Sequence, residues 1–427
     1  MTQSLPKPSS KVSGQSKDVW SMINETAASV EQESGRKVVN LGQGFFSYSP
    51  PQFAVEAAKE ALDVAGLNQY APTRGLPALR KAIADNYSPF FGREIDPETE
   101  VVVTAGANEG MFSAFTGFLD KGDEVIVFEP FFDQYISNIQ LSGGVVRYVP
   151  LHPPKDDSVR THSASEWTID FEELAATITE RTKMIVINSP QNPTGKVFNE
   201  TELRKIGDLA IKHNIVILSD EVYDRLHYSS FTRIATLSPE LARLTLTVGS
   251  AGKTFAATGW RVGWLIGDKD MIKYVAAAHT RICFTVNTPL QSAVASAFNQ
   301  ARTNGYYTEQ IASFQNKYNI FVKVFEELGL PYTIPEGGYF LMVNLTKVKL
   351  PEDYDFPASV TEGRARDFKL AYFLIKEFGV VAIPPTEFYT RENEHIAENY
   401  VRFAVCKDDH LLVEAVERLR SLKKYIV

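Results

Sequence analysis

The chain of 427 residues contains little cysteine, and Cys283 and Cys406 are far apart and outside any C-x-x-C spacing. This predicts neither a disulfide framework nor a cysteine metal site. None of the seven histidines belongs to an H-E-x-x-H pair, so a zinc hydrolase is not indicated and we predict no metal site. No apolar run is long enough for a membrane span, and the first residues lack the pattern of a secretory signal.

Positive charge is not in excess, because the formal net charge is -8. This balance argues against a broad electrostatic surface for nucleic acid.

Residues 1–17 are polar and contain no acidic side chain, which predicts a flexible tail. The tail faintly resembles a mitochondrial transit peptide but has no arginine, so we expect a cytoplasmic location and keep the mitochondrion as the alternative.

Hydrophobic residues make up 44% of the chain, enough for a large core that we expect to be divided between two domains. Between residues 100 and 270, continuous apolar runs alternate with longer helical stretches, which predicts strands buried on both faces. We therefore predict an α/β large domain at 51–305, with a mainly parallel mixed sheet flanked by helices. A smaller α+β domain is predicted at 306–427, joined by an N-terminal arm at 18–50.

Lys253 follows the apolar run 244–248 in the sequence GSAGKT, which permits two interpretations. A phosphate-binding P-loop needs glycine five positions before the Gly-Lys pair, and that position is Thr247. The alternative is a lysine that bonds covalently to a cofactor. In open α/β sheets the ligand lies beyond the carboxyl ends of the strands, where most of the predicted runs here end in polar residues. The second interpretation is therefore favoured.

Asp220 ends the apolar run NIVILSD, and a carboxylate in such a buried strand needs a partner. The protonated ring nitrogen of pyridoxal 5'-phosphate (PLP) would satisfy it, and the ion pair would preserve the ring as an electron sink. Tyr223 lies one turn further on if a helix begins there, and could donate to the phenolic oxygen of the cofactor. Asn192, in the sequence NPTG, offers an amide donor to the same oxygen.

A phosphate site needs backbone N–H groups at the start of a helix and a nearby cation. The stretch 104–110 reads as a strand, then small residues, then a helix. The residues that could form the site are Gly106, Ala107, Asn108, Ser250 and Arg261. Phe132, at the end of the next strand, could stack on a flat ring.

The sequences NPTG, SDEVY (219–223) and SAGKTFAATGWRVGW (250–264) resemble the class I aminotransferases of PLP fold type I. NLGQGF (40–45) and EPFFDQY (129–135) are most similar to the kynurenine aminotransferase branch, also called glutamine transaminase K or cysteine-S-conjugate β-lyase. The resemblance runs from about residue 20 to 425. It implies a homodimeric transaminase that takes amino groups from kynurenine and other aromatic or sulfur amino acids, with 2-oxoglutarate or pyruvate as the acceptor. A carbon–sulfur β-lyase, or a transaminase of methionine or glutamine, remains the alternative.

The resemblance also implies roles for individual residues. Lys253 would form the Schiff base with PLP, Asp220 would pair with the ring nitrogen, and Phe132 would stack on the ring. Asn192 and Tyr223 would donate to the phenolic oxygen. The phosphate residues named above keep that role.

Three further residues complete the site that the resemblance implies. Arg402, in YVRFAV, would clamp the substrate α-carboxylate with help from Gly44 and Asn192. Tyr70 would reach the phosphate bound by the neighbouring subunit. The chain departs from these relatives at 46–49 and at 281–289, near the position of the substrate side chain, so the preferred amino acid stays open.

Overall fold

The computed structural model describes residues 6–9, 12 and 19–427. Most of the predicted flexible tail, residues 1–17, therefore lies outside the described residues. Within these ranges, no helix combines the length and apolar character needed to cross a membrane. The α-helices are α1 Val19–Ser34, α2 Gln52–Asp63, α3 Pro77–Phe91, α4 Ala107–Phe118, α5 Asp133–Leu141, α6 Phe171–Thr177, α7 Glu200–His213, α8 Pro239–Leu244, α9 Ala251–Thr254, α10 Lys269–Ile282, α11 Thr288–Ala301, α12 Tyr306–Leu328, α13 Ala358–Thr361, α14 Arg366–Phe373 and α15 Asp409–Leu419.

The strands are short, and strands do form at the apolar runs predicted between residues 100 and 270. In chain order they are β1 Val39–Asn40, β2 Val101–Thr104, β3 Glu124–Glu129, β4 Val145–His152, β5 His162–Ser163, β6 Thr168–Ile169, β7 Thr182–Asn188, β8 Val216–Asp220, β9 Thr245–Ser250, β10 Gly263–Ile266, β11 Thr333–Ile334, β12 Phe340–Asn344, β13 Val380–Val381 and β14 Tyr400–Ala404.

Eight strands form the central sheet in the order β2-β10-β9-β8-β7-β3-β4-β6. The five strands from β9 to β4 are parallel to one another. Strand β10 runs antiparallel to both β2 and β9, and β6 runs antiparallel to β4. The predicted α/β fold with a mainly parallel mixed sheet is therefore confirmed. Strand β4 gave no continuous apolar run because five of its eight residues are exposed or only partly buried.

Helices cover both faces of this sheet, as the alternation of side chains along β2 shows. Val102 belongs to the core that includes Phe115 of α4 and Val275 of α10. Val103 belongs to a separate core with Tyr87 of α3 and Phe298 of α11. Because successive strand residues point to opposite faces, these two cores lie on opposite sides of the sheet.

The C-terminal part combines short strands with helices. Strands β12 and β14 pair antiparallel, and β1 of the N-terminal segment pairs with β13. Helix α1 packs its buried residues against a cluster that includes Phe368 and Ile375. The core of α12 continues into the sheet, because Phe314 and Val102 share one cluster. The division at 51–305 and 306–427 with an arm at 18–50 stays a prediction.

Candidate active site

The carboxyl ends of the parallel strands meet at a cavity of about 250 Å³. Most of the site residues predicted from the sequence line it. They are Gly44, Ala107, Asn108, Phe132, Asn192, Asp220, Tyr223, Ser250, Lys253, Arg261 and Arg402. The structure thus brings together segments that are separated by hundreds of residues in the chain. Gly106 and Tyr70 are the two predicted residues that do not line the cavity.

Lys253 lies in α9, the single turn of helix that follows β9. Its Nζ donates a hydrogen bond to the Tyr339 hydroxyl at 2.7 Å and lies 3.5 Å from the Gly44 carbonyl oxygen. The side chain is partly exposed to the cavity. Burial lowers the pKa of its amine to about 8, so a substantial fraction is neutral near physiological pH. A neutral amine can act as a nucleophile or as a base.

Asp220 is the last residue of β8 and is only 4% exposed. Its carboxylate accepts hydrogen bonds from the Tyr135 hydroxyl and, at 3.3 Å, from the backbone N–H of Val222. Both donors are neutral, and burial raises the pKa of the carboxyl to about 6. A cation that entered the cavity would therefore find a carboxylate whose charge is poorly compensated.

Tyr223 lines the cavity, but no helix begins directly after Asp220, so the condition under which Tyr223 would lie one helical turn further on is not met. The Asp220 side chain binds the N–H of Val222, and the next backbone bonds join Asp224 to Glu221 and Leu226 to Tyr223. These bonds span three residues, so the segment forms consecutive turns instead of an α-helix. The Tyr223 ring centroid lies 5.8 Å from the Lys253 amine.

Helix α4 presents its N-terminus to the cavity through Ala107 and Asn108. Gly106 caps this helix with a φ of 87°, a conformation that favours glycine. A Cβ atom at Gly106 would come within 2.6 Å of the Arg261 guanidinium, so glycine also lets that cation approach the helix start. The first N–H groups of α4 next to a guanidinium, with Ser250 nearby in the cavity lining, are an arrangement that suits an anion.

Arg402, in β14, is only 1% exposed. Its Nη1 donates to the Asn192 side-chain oxygen at 3.0 Å and its Nη2 to the Gly42 carbonyl at 2.7 Å. Among the described residues, no acceptor reaches its Nε. Burial lowers the pKa of the guanidinium to about 10. Its protein partners are neutral oxygens, so an incoming carboxylate would supply the missing negative charge.

Asn188, the polar residue that ends the run 183–188, lines the cavity with the predicted residues. Several other residues of the site were not predicted from the sequence. Those that line the cavity are Trp20, Met111, Tyr135, Val222 and Phe340, and Tyr339 contacts Lys253. Val222 follows a predicted strand end and Tyr135 lies in EPFFDQY, so strand ends could have indicated these two. Trp20 and Tyr339 come from the N-terminal helix and a Gly-Gly turn, and no local pattern marks them.

Tyr70 lies on the surface, with 85% of its area exposed and its ring packed edge-on against Phe284 at 5.5 Å. The structure therefore does not bring Tyr70 to the cavity of its own chain.

Three potential metal ligands approach one another outside the cavity. Within the described residues, ligand atoms of Glu109, His279 and Cys283 lie within 4.8 Å of each other. Hydrogen bonds already account for Glu109, because its oxygens accept from Ala105 N–H, from Ser113 Oγ and, at 3.0 Å, from His279 Nδ1. That no metal site exists stays a prediction.

Comparison with known proteins places this geometry in a family. Residues 36–419 match the family model of aminotransferases of class I and II. The chain is 55% identical over 419 residues to the Saccharomyces cerevisiae protein named probable kynurenine–oxoglutarate transaminase BNA3. This alignment covers 97% of this chain and 94% of the yeast protein. It is 39% identical over 405 residues to human kynurenine–oxoglutarate transaminase 1, in an alignment that covers 92% of this chain and 94% of the human protein.

Solved structures agree with these sequence matches. The crystal structure of Saccharomyces cerevisiae Bna3p superposes with a TM-score of 0.97 at 54% identity, over 99% of this chain and 100% of that one. Escherichia coli YbdL, with a methionine aminotransferase function, superposes with a TM-score of 0.84 at 30% identity, over 98% of this chain and 100% of the YbdL chain. The predicted transaminase class is confirmed, and the chain belongs to the aminotransferases of class I and II.

Proposed function

We propose that this chain is a PLP-dependent kynurenine aminotransferase that transfers the amino group of kynurenine to 2-oxoglutarate. One observation carries the proposal: a lysine with a lowered pKa, a buried carboxylate and a buried arginine line a single cavity. The names of the yeast and human relatives support the choice of substrate.

The residues of the cavity fit PLP. Lys253 would hold it covalently, Asp220 would pair with its ring nitrogen, and Phe132 would cover its ring. Asn192 and Tyr223 would donate to its phenolic oxygen. The residues that would bind its phosphate are Gly106, Ala107, Asn108, Ser250 and Arg261. When bound, PLP supplies an electron sink for the negative charge that develops on the substrate Cα.

The remaining chemistry belongs to side chains of the protein. Arg402 orients the substrate through its α-carboxylate, supported by Asn192 and by the backbone near Gly44. Lys253 removes the proton from the substrate Cα, acting as a base whose pKa of about 8 suits work near neutral pH. The buried Asp220 would supply a negative charge to the ring nitrogen of the cofactor.

The surroundings of Arg402 favour an aromatic substrate. Its guanidinium carbon lies 4.3 Å from the ring centroid of Phe340 and 5.4 Å from that of Trp20. An amino acid held by this arginine would have apolar rings close to it, which suits an aromatic or thioether side chain.

The proposal is tested by incubating the PLP-loaded protein with kynurenine and 2-oxoglutarate. We expect stoichiometric loss of kynurenine and formation of glutamate, both dependent on the oxo acid. A panel of other amino acids gives the order of preference. Pyruvate released from a cysteine conjugate without any oxo acid would instead identify carbon–sulfur lyase activity, and inertness towards kynurenine would reject it as the substrate.

Arg402→Lys is expected to raise the KM for kynurenine about 10- to 100-fold, since lysine keeps the charge but cannot form two parallel hydrogen bonds to a carboxylate. Steady-state kinetics with each substrate in turn measure the effect. Arg366→Lys is the matched control, because Arg366 is a partly buried arginine bound to Asn399 and the Val348 carbonyl. Equal KM values for both variants would show that Arg402 does not bind the carboxylate.

We also propose a homodimer in which Tyr70 reaches the phosphate bound by the partner chain, because Tyr70 is exposed and lies outside its own cavity. Tyr70→Phe is expected to weaken PLP binding about 10-fold or more, the typical effect of losing a hydrogen bond to a charged group. Equilibrium titration measures the affinity. Coexpressing Tyr70→Ala with Lys253→Ala chains should restore one intact site per mixed dimer; absence of any restoration would place Tyr70 outside the partner's site.

A further inference from the structure

The Tyr339 hydroxyl lies between the Lys253 amine and the backbone of the N-terminal segment. Lys253 Nζ is 2.7 Å from Tyr339 Oη, and Oη is 2.8 Å from the Gly44 carbonyl oxygen. The direct distance from Nζ to this carbonyl oxygen is 3.5 Å, so the tyrosine provides the closer contact. One hydroxyl therefore connects Lys253 of α9 with two segments remote from it in sequence, those of Gly44 and of Tyr339 itself.

The Gly44 carbonyl oxygen can only accept, and the Tyr339 hydroxyl donates its single hydrogen to it. In this arrangement the Tyr339 oxygen accepts from the amine of Lys253. A neutral amine that donates one of its hydrogens keeps its lone pair free, whereas an amine that accepted from tyrosine would have its lone pair occupied.

Packing prevents the Tyr339 ring from moving away. The residue has no exposed surface. Its ring stacks on Phe314 at 5.9 Å and contacts Phe46 and Tyr223 edge-on at 5.5 and 5.2 Å. The hydroxyl is consequently held at a fixed position beside the lysine, at little entropic cost during the reaction.

We propose that Tyr339 is a positioning residue for Lys253: its hydroxyl holds the amine in the cavity, as a hydrogen-bond donor, whenever the amine is not bonded to the cofactor. In the transamination on which this inference rests, the lone pair of the amine stays available for the proton on the substrate Cα. Tyr339 contacts neither substrate nor cofactor in this role and acts only through Lys253.

The kinetic test compares Tyr339→Phe with Tyr318→Phe. Tyr318 is also a buried tyrosine, and its hydroxyl donates to the Phe340 carbonyl at 3.0 Å without contacting Lys253. For Tyr339→Phe we expect kcat to fall about 10- to 100-fold, within the range of general acid–base catalysis, with KM changed less than about 2-fold. The primary isotope effect with α-deuterated kynurenine should increase because proton transfer becomes limiting. Tyr318→Phe should match the wild type.

A second readout needs no cofactor. Competitive acetylation of the apoprotein, followed by peptide mapping, gives the pH at which Lys253 is half reactive, which we expect near pH 8. The groups that influence this amine are Asp220, Tyr223, Arg261, Tyr339, Arg402 and Cys406. Only Tyr339→Phe removes an acceptor from the ammonium form, so its midpoint should shift to lower pH, and that of Tyr318→Phe should not.

The two readouts separate failure of this inference from failure of the proposed function. If wild-type protein binds no PLP at Lys253, the function is wrong, and the acetylation midpoint still reports on the Tyr339 contact. A midpoint, kcat and isotope effect for Tyr339→Phe that all equal the wild-type values would overturn the positioning role. If phenylalanine at 339 prevents folding, 3-fluorotyrosine at that position keeps the hydroxyl but weakens it as an acceptor, and the same comparison decides.

Discussion

Lys253→Ala is expected to lower transamination about 10³-fold or more and to abolish covalent attachment of PLP. The variant loses both the nucleophile that binds the cofactor and the base at the substrate Cα, and the hydrogen-bond partners of its amine, the Tyr339 hydroxyl and the Gly44 carbonyl, are not amines that could replace it. Borohydride reduction followed by peptide mapping identifies the labelled lysine, and an assay for glutamate formation measures turnover. The neighbours of Lys253 remain, because alanine only empties space that faces the cavity.

Lys269→Ala is the matched control, since Lys269 is exposed at the start of α10. We expect wild-type labelling and turnover for it. Buried Lys407 offers a stricter comparison: it lies beside the same N-terminal segment but donates to the Gln43 and Phe45 carbonyls. Reductive labelling of Lys407 in place of Lys253, or near-normal turnover of Lys253→Ala, would refute the central role of Lys253.

The sequence was most informative where a strand buried on both faces ends in a polar residue. Asp220 shows why: a carboxylate directly after four apolar or small buried residues is expected at the carboxyl end of its strand. The same argument placed Asn192 and Ser250 at or just beyond the carboxyl ends of their strands, and a parallel sheet brings these ends together. These residues do line one cavity in the structure.

Residues supplied by other parts of the chain could not be predicted in this way. Tyr339 meets Lys253 across 86 positions, and Trp20 approaches Arg402 across nearly the whole chain. Their positions depend on how the N-terminal helix and the C-terminal part pack against the sheet, which no local pattern encodes. The turns at Tyr223 were missed for a related reason, because the Asp220 carboxylate accepts a local hydrogen bond from the Val222 N–H, and such side-chain–backbone bonds compete with helix formation.

Asp220→Asn is expected to lower kcat/KM for kynurenine about 10²-fold or more while PLP still attaches to Lys253, since the amide keeps the shape but cannot hold the ring nitrogen protonated. Absorbance and peptide mapping confirm attachment, and steady-state kinetics give the loss. Asp208→Asn, at an exposed position of α7, controls for the loss of one carboxylate. A nearly normal rate for Asp220→Asn would remove the ring-nitrogen partner from the proposal.

The same variant should stabilise the apoprotein, in a manner that depends on pH. Burial raises the pKa of the Asp220 carboxyl from 3.8 to about 6 in the folded protein. A pKa raised on folding favours the folded state below the unfolded pKa, and this contribution is lost as pH rises through the folded pKa. Above pH 6 the buried charge therefore lowers the free energy of unfolding by up to about 3 kcal/mol. Asparagine carries no charge and avoids this loss. The stability gained by Asp220→Asn should be larger at pH 7.5 than at pH 4.5.

Thermal unfolding of both apoproteins at the two pH values measures this difference, and Asp208→Asn should show none. Adding PLP should reverse the order at pH 7.5, because the wild-type carboxylate then gains its cation and the amide does not. A buried carboxylate whose hydrogen-bond donors are all neutral lowers the stability of the apoprotein, so its presence indicates a role in binding a cation. If Asp220→Asn changes the free energy of unfolding equally at both pH values, the pKa of the Asp220 carboxyl is not raised by burial. Its loss of activity would then need another cause.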